Sequence, residues 1–579
     1  NTWTANAYVN YTKTFAKKHN LNVMAGVNAE EEEYKYLYGT RNVMYDQEGY
    51  PELNMAGKDG QDLSWNHTSR ASAGYFGRIN YDYKGIYLLE LNGRYDGSSR
   101  FPHTDQWAFF PSASIGYRFS EEAYFAPLKH IVSNGKLRAS FGEIGNEAVG
   151  DYMFEQLISQ RLNNKSTGYI YWIENNNANA NLLTMYNMPD LVSSTLTWER
   201  IRTLNIGLDL GLLNDELTIG FDWFQRENRD MLAPAQVLPN TLGASAPYEN
   251  AGTLRTRGWE LNLNWRHTFG DFDVYANFNI GDSKTKVTKW DNDSKLLSTY
   301  YTGKTYGDIF GFETDRYFEE KDFTSQNADG SWNYANGIAS QAGLESGNFH
   351  YGPGDVKFKD LDGNGKIDGG KGTADDHGDL KVIGNSMPRY EYSFHLGGAW
   401  KGIDLDLYFQ GVGKREDWTT SSLNLPAMVH ADVAIYSHQT SYNKVLWNSD
   451  YTAITGYEVN QGNRYPRLYR GTNNSGGTVS GIANGCNNYY PQSRYLTDMS
   501  YLRLKNVTVG YTLPKEWTRK AYIEKARIYF SGSNLFLLHK GNDLPVDPEI
   551  STGNGLTAGG WGRIAPITRT FSFGVQVTL

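Results

Sequence analysis

The segment that decides the fold is residues 403–410, which read IDLDLYFQ. Apolar and polar side chains alternate strictly along it. An extended strand would therefore place Leu405 and Phe409 on one face and Asp404 and Asp406 on the other. We interpret this segment as a β-strand with one apolar and one polar face.

The same alternation recurs throughout the chain. Residues 259–266 (WELNLNWR) and 272–280 (FDVYANFNI) show it on either side of a tight turn around Gly270, which predicts a hairpin. Each strand exceeds the roughly 9 to 11 residues that a tilted membrane strand needs. Fifteen such strands are centred near residues 8, 25, 77, 91, 113, 139, 205, 220, 262, 276, 396, 408, 507, 531 and 573.

Alternation alone does not separate a soluble sandwich from a barrel, so the connections have to decide. Short connections fall near residues 17–18, 84–85, 212–215, 270–271 and 401–402. Long connections span residues 30–70, 141–198, 226–254 and 281–389. Outer-membrane barrels show this asymmetry. The sequence predicts an all-β fold: a large antiparallel transmembrane β-barrel with short periplasmic turns and long extracellular loops.

Two further connections, residues 120–130 and 514–525, have helical patterns. Ser120 stands before Glu121 and Glu122, where an N-cap is expected, because its hydroxyl could accept a hydrogen bond from the first turn. We expect short inter-strand helices on the side of the short turns.

Composition excludes several classes of protein. Only 39% of residues are hydrophobic, the mean hydropathy is -0.59, and no uninterrupted run of about 18 apolar residues occurs, which excludes a helical membrane protein. The 42 Tyr and 15 Trp favour interfacial girdles, although strand propensity alone is the alternative. A net charge of -9 without a basic stripe argues against nucleic acid as a partner.

Strand parity sets a further expectation. If the short turns are periplasmic, the first and last strands both run inward and Leu579 lies on the periplasmic side. Fifteen strands cannot close a bacterial barrel, and open edges in lipid cost several kcal/mol per unpaired group. We therefore expect residues 1–579 to form one barrel unit, the C-terminal portion of a longer protein whose first strands precede Asn1.

Several segments together resemble one family. They are residues 74–85 (GYFGRINYDYKG), 94–101 (RYDGSSRF), 109–112 (FFPS), 382–385 (VIGN), 500–514 (SYLRLKNVTVGYTLP), 534–536 (NLF), 547–549 (DPE) and 569–574 (RTFSFG). In this order they closely resemble the barrel of the SusC/RagA family of TonB-linked outer-membrane transporters of Bacteroidetes.

The resemblance implies a barrel of 22 strands, of which this chain holds about 15, or 17 if residues 281–389 hide another hairpin. It also implies that a signal peptide, an N-terminal extension, a TonB box and a plug belong to the preceding part. The implied function is active import of an oligomeric nutrient, with an oligosaccharide expected first and an oligopeptide second. The implied partners are a SusD-like surface lipoprotein, the TonB complex and the lipid bilayer.

Other classes stay open at this stage. A passive porin or an adhesin would share the wall but not the energy coupling. A soluble carbohydrate-binding β-protein would share the alternation. An outer-membrane enzyme would need a convergent catalytic set on one rim, and the sequence shows no such set, so we expect no enzymatic activity.

The sharpest local motif is residues 360–368, DLDGNGKID. Its oxygen-bearing residues follow the spacing of an EF-hand-like calcium loop, with a glycine where the backbone turns sharply. The candidate ligands are Asp360, Asp362, Asn364, the Lys366 carbonyl and Asp368. No cofactor is otherwise required, and a structural Ca²⁺ would stabilise the loop.

That motif departs from the calcium pattern at its twelfth position. Lys371 stands where a bidentate Glu is expected, so a further ligand would come from Asp375, Asp376 or Asp379. The alternative interpretation is an ordinary turn rich in Asp and Gly.

A second candidate site is an aromatic loop. Tyr169, Tyr171 and Trp172 precede a run of Asn, a composition suited to stacking on a sugar or a peptide side chain while amides supply hydrogen bonds. Ordinary loop packing is the alternative.

Overall fold

A single large sheet of fifteen long strands dominates the fold, seen here in a computed structural model that describes residues 1–41, 62–156, 158, 160–162, 184–186, 189, 191–193, 196–234, 247–346, 349–418, 423–426, 435–468, 478–479, 482–483, 487–549 and 567–579. The strands are β1 Thr2–Phe15, β2 His19–Thr40, β3 Asp62–Tyr83, β4 Tyr87–Ser98, β5 Trp107–Tyr117, β6 Val132–Asn146, β7 Glu199–Leu212, β8 Leu217–Pro234, β9 Tyr248–Phe269, β10 Phe272–Lys289, β11 Arg389–Trp400, β12 Ile403–Lys414, β13 Tyr501–Thr512, β14 Lys525–Lys540 and β15 Thr570–Thr578.

The topology of the sheet is a simple meander. Each strand pairs antiparallel with the next strand along the chain, from β1 to β15. Every strand centre predicted from the sequence falls inside one of these strands, so the predicted fold class is confirmed. The strands within residues 290–388 that the structure describes pair among themselves, and none of them joins the wall.

The short turns form where the sequence predicts them. Between β11 and β12, Lys401 and Gly402 have φ values of 47° and 91°, and between β3 and β4, Lys84 and Gly85 have values of 55° and 66°. Positive φ at consecutive turn residues gives a backbone twist that matches the right-handed twist of the flanking strands. Tight hairpins therefore join the strands at this end of the sheet.

The alternation in β12 separates two environments. Leu405 is 43% exposed on the outer face, where Phe409 stacks on Phe394 of β11 with ring centroids 4.5 Å apart. Asp404 and Asp406 point to the inner face and contact polar side chains of neighbouring strands. The apolar side chains thus face outward and the polar side chains face inward, as predicted.

The hairpin of β2 and β3 differs from the expectation. Residues 30–70 are predicted as a long loop, yet both strands run for 22 residues and stay paired from His19 opposite Tyr83 to Thr40 opposite Asp62. The reason lies in the sequence, because Tyr34, Tyr36 and further residues continue the strand alternation beyond the membrane-length segment. The hairpin therefore projects past the ends of β4 and β5.

The two connections predicted to be helical contain short helices, mostly 3₁₀. They are Phe119–Glu121 and Ala123–Leu128 in the first, and the α-turn Lys515–Thr518 with Arg519–Ala521 in the second.

Ser120 is not an N-cap. It lies inside the first 3₁₀ turn, which starts after Arg118, and its buried hydroxyl caps no backbone N–H. The N-cap position is Arg118, two residues before the predicted one. Among the described residues, no helix combines the length and the apolar composition that crossing a bilayer requires.

The described parts of two long connections, within residues 290–388 and 415–500, pack together at the opposite end of the sheet from the short turns. We call them the loop body. Its short strands are Asp308–Phe312, Thr314–Tyr317, Phe323–Gln326, Trp332–Tyr334, Val356–Phe358, Leu380–Asn385, Glu416–Asp417, Lys444–Trp447, Ile454–Glu458, Thr478–Val479, Ile482–Ala483 and Thr497–Asp498, and its 3₁₀ turns are Glu320–Asp322, Ala342–Leu344, Ser437–Gln439, Asn487–Tyr489 and Ser493–Tyr495. A further short pair, Gln160–Leu162 with Thr184–Tyr186, precedes β7.

Most of the large, fully buried apolar side chains belong to the loop body. Its core is largely aromatic and includes Phe312, Tyr317, Phe318, Phe349, Tyr351, Phe358, Tyr465, Tyr489 and Tyr495. Burial of aromatic side chains is a large stabilising contribution. The loop body is therefore a packed structure with its own core.

Candidate functional site

The inner face of the wall is held by polar contacts that cross three strands. Arg138 of β6, Gly207 of β7 and Asp222 of β8 are register partners in one row. Arg138 Nη2 donates to Asp222 Oδ2 at 3.0 Å, and its Nε donates to Asp209 Oδ2 at 2.8 Å. A Cβ on Gly207 would lie 2.7 Å from Arg138 Cζ, so glycine is what lets the guanidinium cross the middle strand. We call this arrangement a clasp.

The clasp recurs twice on the same face. In each case the side chains of two strands meet across a glycine of the strand between them, and the two sets are Tyr275–Gly397–Asp406 and Asp404–Gly510–Arg527. His395 also contacts Asp406, at 2.6 Å. Polar and charged groups inside a barrel are stable there only when they are hydrogen-bonded or wet. The clasps supply hydrogen-bond partners for these groups.

Two clefts on the inner face lie next to the first clasp. One has a volume of about 490 Å³ and the other about 600 Å³, and they share Glu90, Ser114 and Ser140. Their polar linings include Asn22, Asn80, Asp82, Asn92, Arg94, Asp96, Lys136 and Arg138. This surface offers both charges and many amide groups, which suits a polar solute or a polar inner domain.

The loop body is fixed by a buried ion pair. Asp355 is fully buried and accepts hydrogen bonds from Arg467 Nε at 2.9 Å and Nη2 at 2.7 Å, from Asn488 Nδ2 at 2.8 Å and from the Gly352 amide at 2.9 Å. A buried carboxylate needs this degree of hydrogen bonding to remain charged. The network joins residues more than a hundred positions apart, so it ties the two halves of the loop body together.

Two carboxylates of the loop body have shifted pKa values. Glu313 accepts hydrogen bonds from Lys359 and Lys381, which lower its pKa to about 2. Asp417 lies in the short strand beside the barrel rim, and its burial raises its pKa to about 6, against the opposing effect of Arg415. The two pKa values are shifted in opposite directions because the carboxylate of Glu313 is paired with two lysines and that of Asp417 is desolvated.

The candidate cation loop brings three carboxylates together. One oxygen of each of Asp360, Asp362 and Asp379 lies within 4.8 Å of the others, which is a spacing that a single metal ion could bridge. Asp379 is fully buried and accepts hydrogen bonds from the amides of Leu361 at 2.6 Å and Asp368 at 3.0 Å. Asp379 is one of the three residues that the sequence offers as the additional ligand.

The other predicted ligands serve the turn itself. Asn364 Oδ1 accepts a hydrogen bond from the Lys366 amide, and Asp368 Oδ1 accepts one from the Gly370 amide, both at 2.8 Å. Lys371 forms a long ion pair of 3.5 Å with Asp376. The predicted set of five therefore contributes two members to the acidic group, and calcium binding stays a prediction.

The predicted substrate aromatics Tyr169, Tyr171 and Trp172 lie outside the described residues. The structure instead shows an aromatic surface that the sequence analysis missed. Tyr34, Tyr36 and Tyr38 lie on the inner face of the projecting β2–β3 hairpin, with successive ring centroids 6.5 and 6.3 Å apart and interplanar angles of 6° and 11°. Their alternate spacing in the sequence was the available signal, since three alternate positions of one strand share a face.

Comparison with known proteins places the chain in a family. Residues 1–375 match the family model described as "TonB dependent receptor-like, beta-barrel". The TonB-dependent receptor P3 of Formosa agariphila is 27% identical over 98% of this chain and 51% of its own length. The TonB-dependent receptor SusC of Bacteroides thetaiotaomicron is 25% identical over 95% of this chain and 48% of its own length. The chain thus spans about half the length of these curated relatives.

The same architecture occurs in a solved transporter. The structure of the RagAB peptide transporter superposes with a TM-score of 0.71 at 19% identity, covering 100% of this chain and 55% of the other. At this level of identity the likeness shows the fold alone. Because the family model matches residues 1–375, which include ten of the fifteen strands, the chain belongs to the TonB-dependent receptor-like β-barrel family of outer-membrane proteins.

Proposed function

We propose that this chain forms the barrel wall of a TonB-dependent importer that takes up an oligomeric nutrient across the outer membrane. The observation that supports it most is the division of the sheet into an apolar outer face and a hydrogen-bonded polar inner face. Such a wall separates lipid from a wet interior through which a polar solute can pass. Energy from the TonB complex would act through the part of the protein that precedes this chain in its relatives.

We propose an oligosaccharide as the substrate class. The stacked side chains of Tyr34, Tyr36 and Tyr38 support this choice, because flat aromatic faces pack against the apolar faces of sugar rings. They lie on the inner face of a hairpin that projects past its neighbours, at the end of the wall where the loop body lies. A SusD-like surface lipoprotein that covers this end would trap the substrate against them.

An oligopeptide is the second candidate. It is favoured by the charges of the inner clefts, where Lys136, Arg138 and Arg94 alternate with Asp82 and Asp96. A peptide presents both an amino and a carboxylate terminus, and such a surface could bind both.

The experiment uses the native host with the complete gene and its neighbours. A gene deletion is complemented either with the intact gene or with a copy that lacks the TonB-interacting segment, and uptake of fluorescent oligosaccharides and oligopeptides is measured. We expect uptake only with the intact copy. Equal uptake with both copies would show a passive porin, and uptake of peptides alone would select the second substrate class.

The partner is tested in the same strains. An affinity tag on the transporter should recover a surface lipoprotein in a stoichiometric complex from detergent extracts. Recovery of the transporter alone, from membranes that contain the lipoprotein, would contradict the capping arrangement.

A further inference from the structure

A cluster of basic side chains lies on the outer face of the wall, at the end that bears the long connections. Its seven members are Arg200, Arg202, Arg229, Arg255, Arg257, Lys284 and Lys286, from β7, β8, β9 and β10. We call them the outer basic patch.

The strand register puts these residues on the face that meets lipid. One row across the sheet reads Ile280, Leu261, Phe221, Leu208 and Leu137, and it is wholly apolar. The next row up contains the partners Trp259 and Trp223. Successive rows on one face are two residues, or about 7 Å, apart along a strand. Tryptophan at this position is typical of the boundary between hydrocarbon and headgroups.

The basic residues begin in the row directly above the tryptophans. That row pairs Lys284 with Arg257, and Arg257 with Gln225. The following row reads Lys286, Arg255, Glu227, Arg202 and Glu143 across five strands. These two rows therefore lie about 7 to 14 Å beyond the tryptophan row, at the depth of lipid headgroups, and Arg229 and Arg200 pair in a third row about 21 Å beyond it.

The carboxylates within the patch are too few to neutralise it. Glu227 is shared by Arg229 at 2.6 Å and Arg255 at 2.7 Å, and Glu143 is shared by Arg200 and Arg202. The side chains of Glu143 and Glu227 are only 5% and 9% exposed, whereas those of their four arginine partners are 34% to 40% exposed.

The two buried glutamates thus fix the positions of the four guanidinium groups, which remain partly exposed on the surface. Lys284, Lys286 and Arg257 are themselves exposed. On the outer face of β2, by contrast, the corresponding positions are Glu31 and Glu33, followed by Lys35.

We propose that the outer basic patch binds the phosphorylated headgroups of lipids in the leaflet around the barrel. Guanidinium and ammonium groups bind phosphate oxygens through charge-assisted hydrogen bonds, and fixed arginines lose little freedom on binding. The continuity of the patch with the apolar belt favours a lipid over a soluble anion, because a bound lipid would cover both at once. The assignment to the external leaflet rests on the proposed function; the chemistry of the headgroup does not.

The test uses the intact transporter purified with its partner. Its probes are a phosphorylated lipid A preparation and the same lipid after phosphatase treatment, with inorganic phosphate as a soluble anion. The variant is Arg257→Gln/Lys284→Gln/Lys286→Gln, which leaves the ion pairs of Glu143 and Glu227 intact. Each basic group near an anionic surface contributes roughly a fivefold increase in affinity, so the triple variant should bind the phosphorylated lipid about 100-fold more weakly.

A matched control removes the same charge from the inner face. Arg226→Gln/Arg266→Gln/Lys136→Gln changes three basic residues that point into the lumen on β8, β9 and β6. We expect this control to bind the phosphorylated lipid as the wild type does. Native mass spectrometry of bound lipid and the lipid-dependent rise in melting temperature provide two independent measurements.

Several results would overturn the inference. One is that the phosphatase-treated lipid binds as tightly as the phosphorylated lipid, and another is that both triple variants lose the same amount of lipid affinity. The inference also fails if inorganic phosphate competes with the lipid at equal concentration, or if the patch variant loses a co-purified protein and keeps its bound lipid. Uptake is measured separately in cells. TonB-dependent uptake together with unchanged lipid binding in the patch variant would reject the lipid site and leave the proposed function standing.

Discussion

At the residue scale, the inner wall depends on glycines that leave room for their neighbours' side chains. Gly207, Gly397 and Gly510 each lie under a polar contact between the two flanking strands. Glycine in a strand interior lowers stability through its backbone freedom and its missing side chain. In these rows the loss is offset by a charge-assisted or phenol–carboxylate hydrogen bond that spans three strands.

Replacing Gly207 tests this balance. In Gly207→Ala the new Cβ would lie 2.7 Å from both Arg138 Cζ and Asp222 Oδ1, so the clasp must open. We expect a loss of about 1 to 2 kcal/mol in unfolding free energy, measured by denaturant titration of the refolded barrel. Gly220→Ala is the matched control, because its Cβ would meet nothing closer than 3.9 Å. Equal stability of the two variants would contradict the role of the clasp.

Asp417 gives a prediction with a pH dependence. Its pKa in the folded protein is about 6 against 3.8 for the free side chain, so burial of the charged form opposes folding above pH 6. The destabilising contribution of Asp417 therefore becomes smaller as the pH falls from about 6 to 4.

Asp417→Asn removes the charge at every pH. We expect it to stabilise the loop body by about 1 to 3 kcal/mol at pH 7 and to have little effect at pH 4, as measured by thermal unfolding at both values. A variant that is destabilised at pH 7 would show that the contact between Asp417 and Arg415 outweighs the desolvation.

The sequence predicts which residues face inward but not which of them touch. The alternation around Asp404 and Asp406 assigns both to the polar face. Their partners Arg527 and Tyr275 are 123 and 131 residues away, and only the strand register brings them together. Register depends on turns, bulges and the whole strand order, which a local pattern does not contain.

At the element scale, strands and connections differ in how far the sequence specifies them. A strand of the wall has a period of two imposed by lipid on one side and water on the other, so its position is visible in eight residues. The loop body has no such periodicity. Its aromatic core collects Phe312, Tyr351 and Tyr465 from separate segments, and its existence could not be predicted from spacing.

The buried network of the loop body can be tested through Asp355. Asp355→Asn replaces one acceptor oxygen with a donor that faces the donors of Arg467, and leaves the arginine buried without its counter-charge. The expected cost is about 3 to 5 kcal/mol, seen as rapid proteolysis within residues 290–388 and 415–500 while the wall strands stay protected. Asp315→Asn, which removes a partly exposed ion pair with Lys357, should cost less than about 1 kcal/mol.

The cation loop is the second prediction at this scale. Addition of Ca²⁺ should raise the temperature at which protease cleaves the loop body, because a bound ion would neutralise the repulsion among Asp360, Asp362 and Asp379. Asp360→Asn should abolish the shift, whereas Asp375→Asn, an exposed residue paired with Lys295, should leave it unchanged. A wild-type protein that responds equally to Na⁺ and Ca²⁺ would identify the motif as an ordinary acidic turn.

At the scale of the whole molecule, the two ends of the wall are unlike. One end carries five turns of two to four residues and the two connections with short helices, and the loop body and the projecting β2–β3 hairpin occupy the other end. The alternation of apolar and polar residues predicted the number of strands, and the loop lengths predicted this asymmetry. The depth of the outer basic patch was not predictable, because its basic residues align into rows only once the register of five strands is known.

This asymmetry predicts the orientation of the molecule in the membrane, and the prediction can be tested in cells. Asp329 lies at an exposed tip of the loop body, and Asp271 lies in the short turn between β9 and β10. In a Cys486→Ala background, a membrane-impermeant maleimide should label Asp329→Cys in intact cells and Asp271→Cys only after lysis. The reverse labelling would place the loop body in the periplasm.

Because the aromatic core lies in the loop body and not behind the wall, the loop body and the wall are stabilised by different contacts. The wall is stabilised by contacts with lipid and by the pairing of its strands. The loop body is stabilised by its own aromatic core and is connected to the wall by short strand pairs such as Glu416–Asp417 with Thr497–Asp498. Substrate selectivity could then change when the loop body is exchanged between homologous barrels while the strands of the wall stay the same.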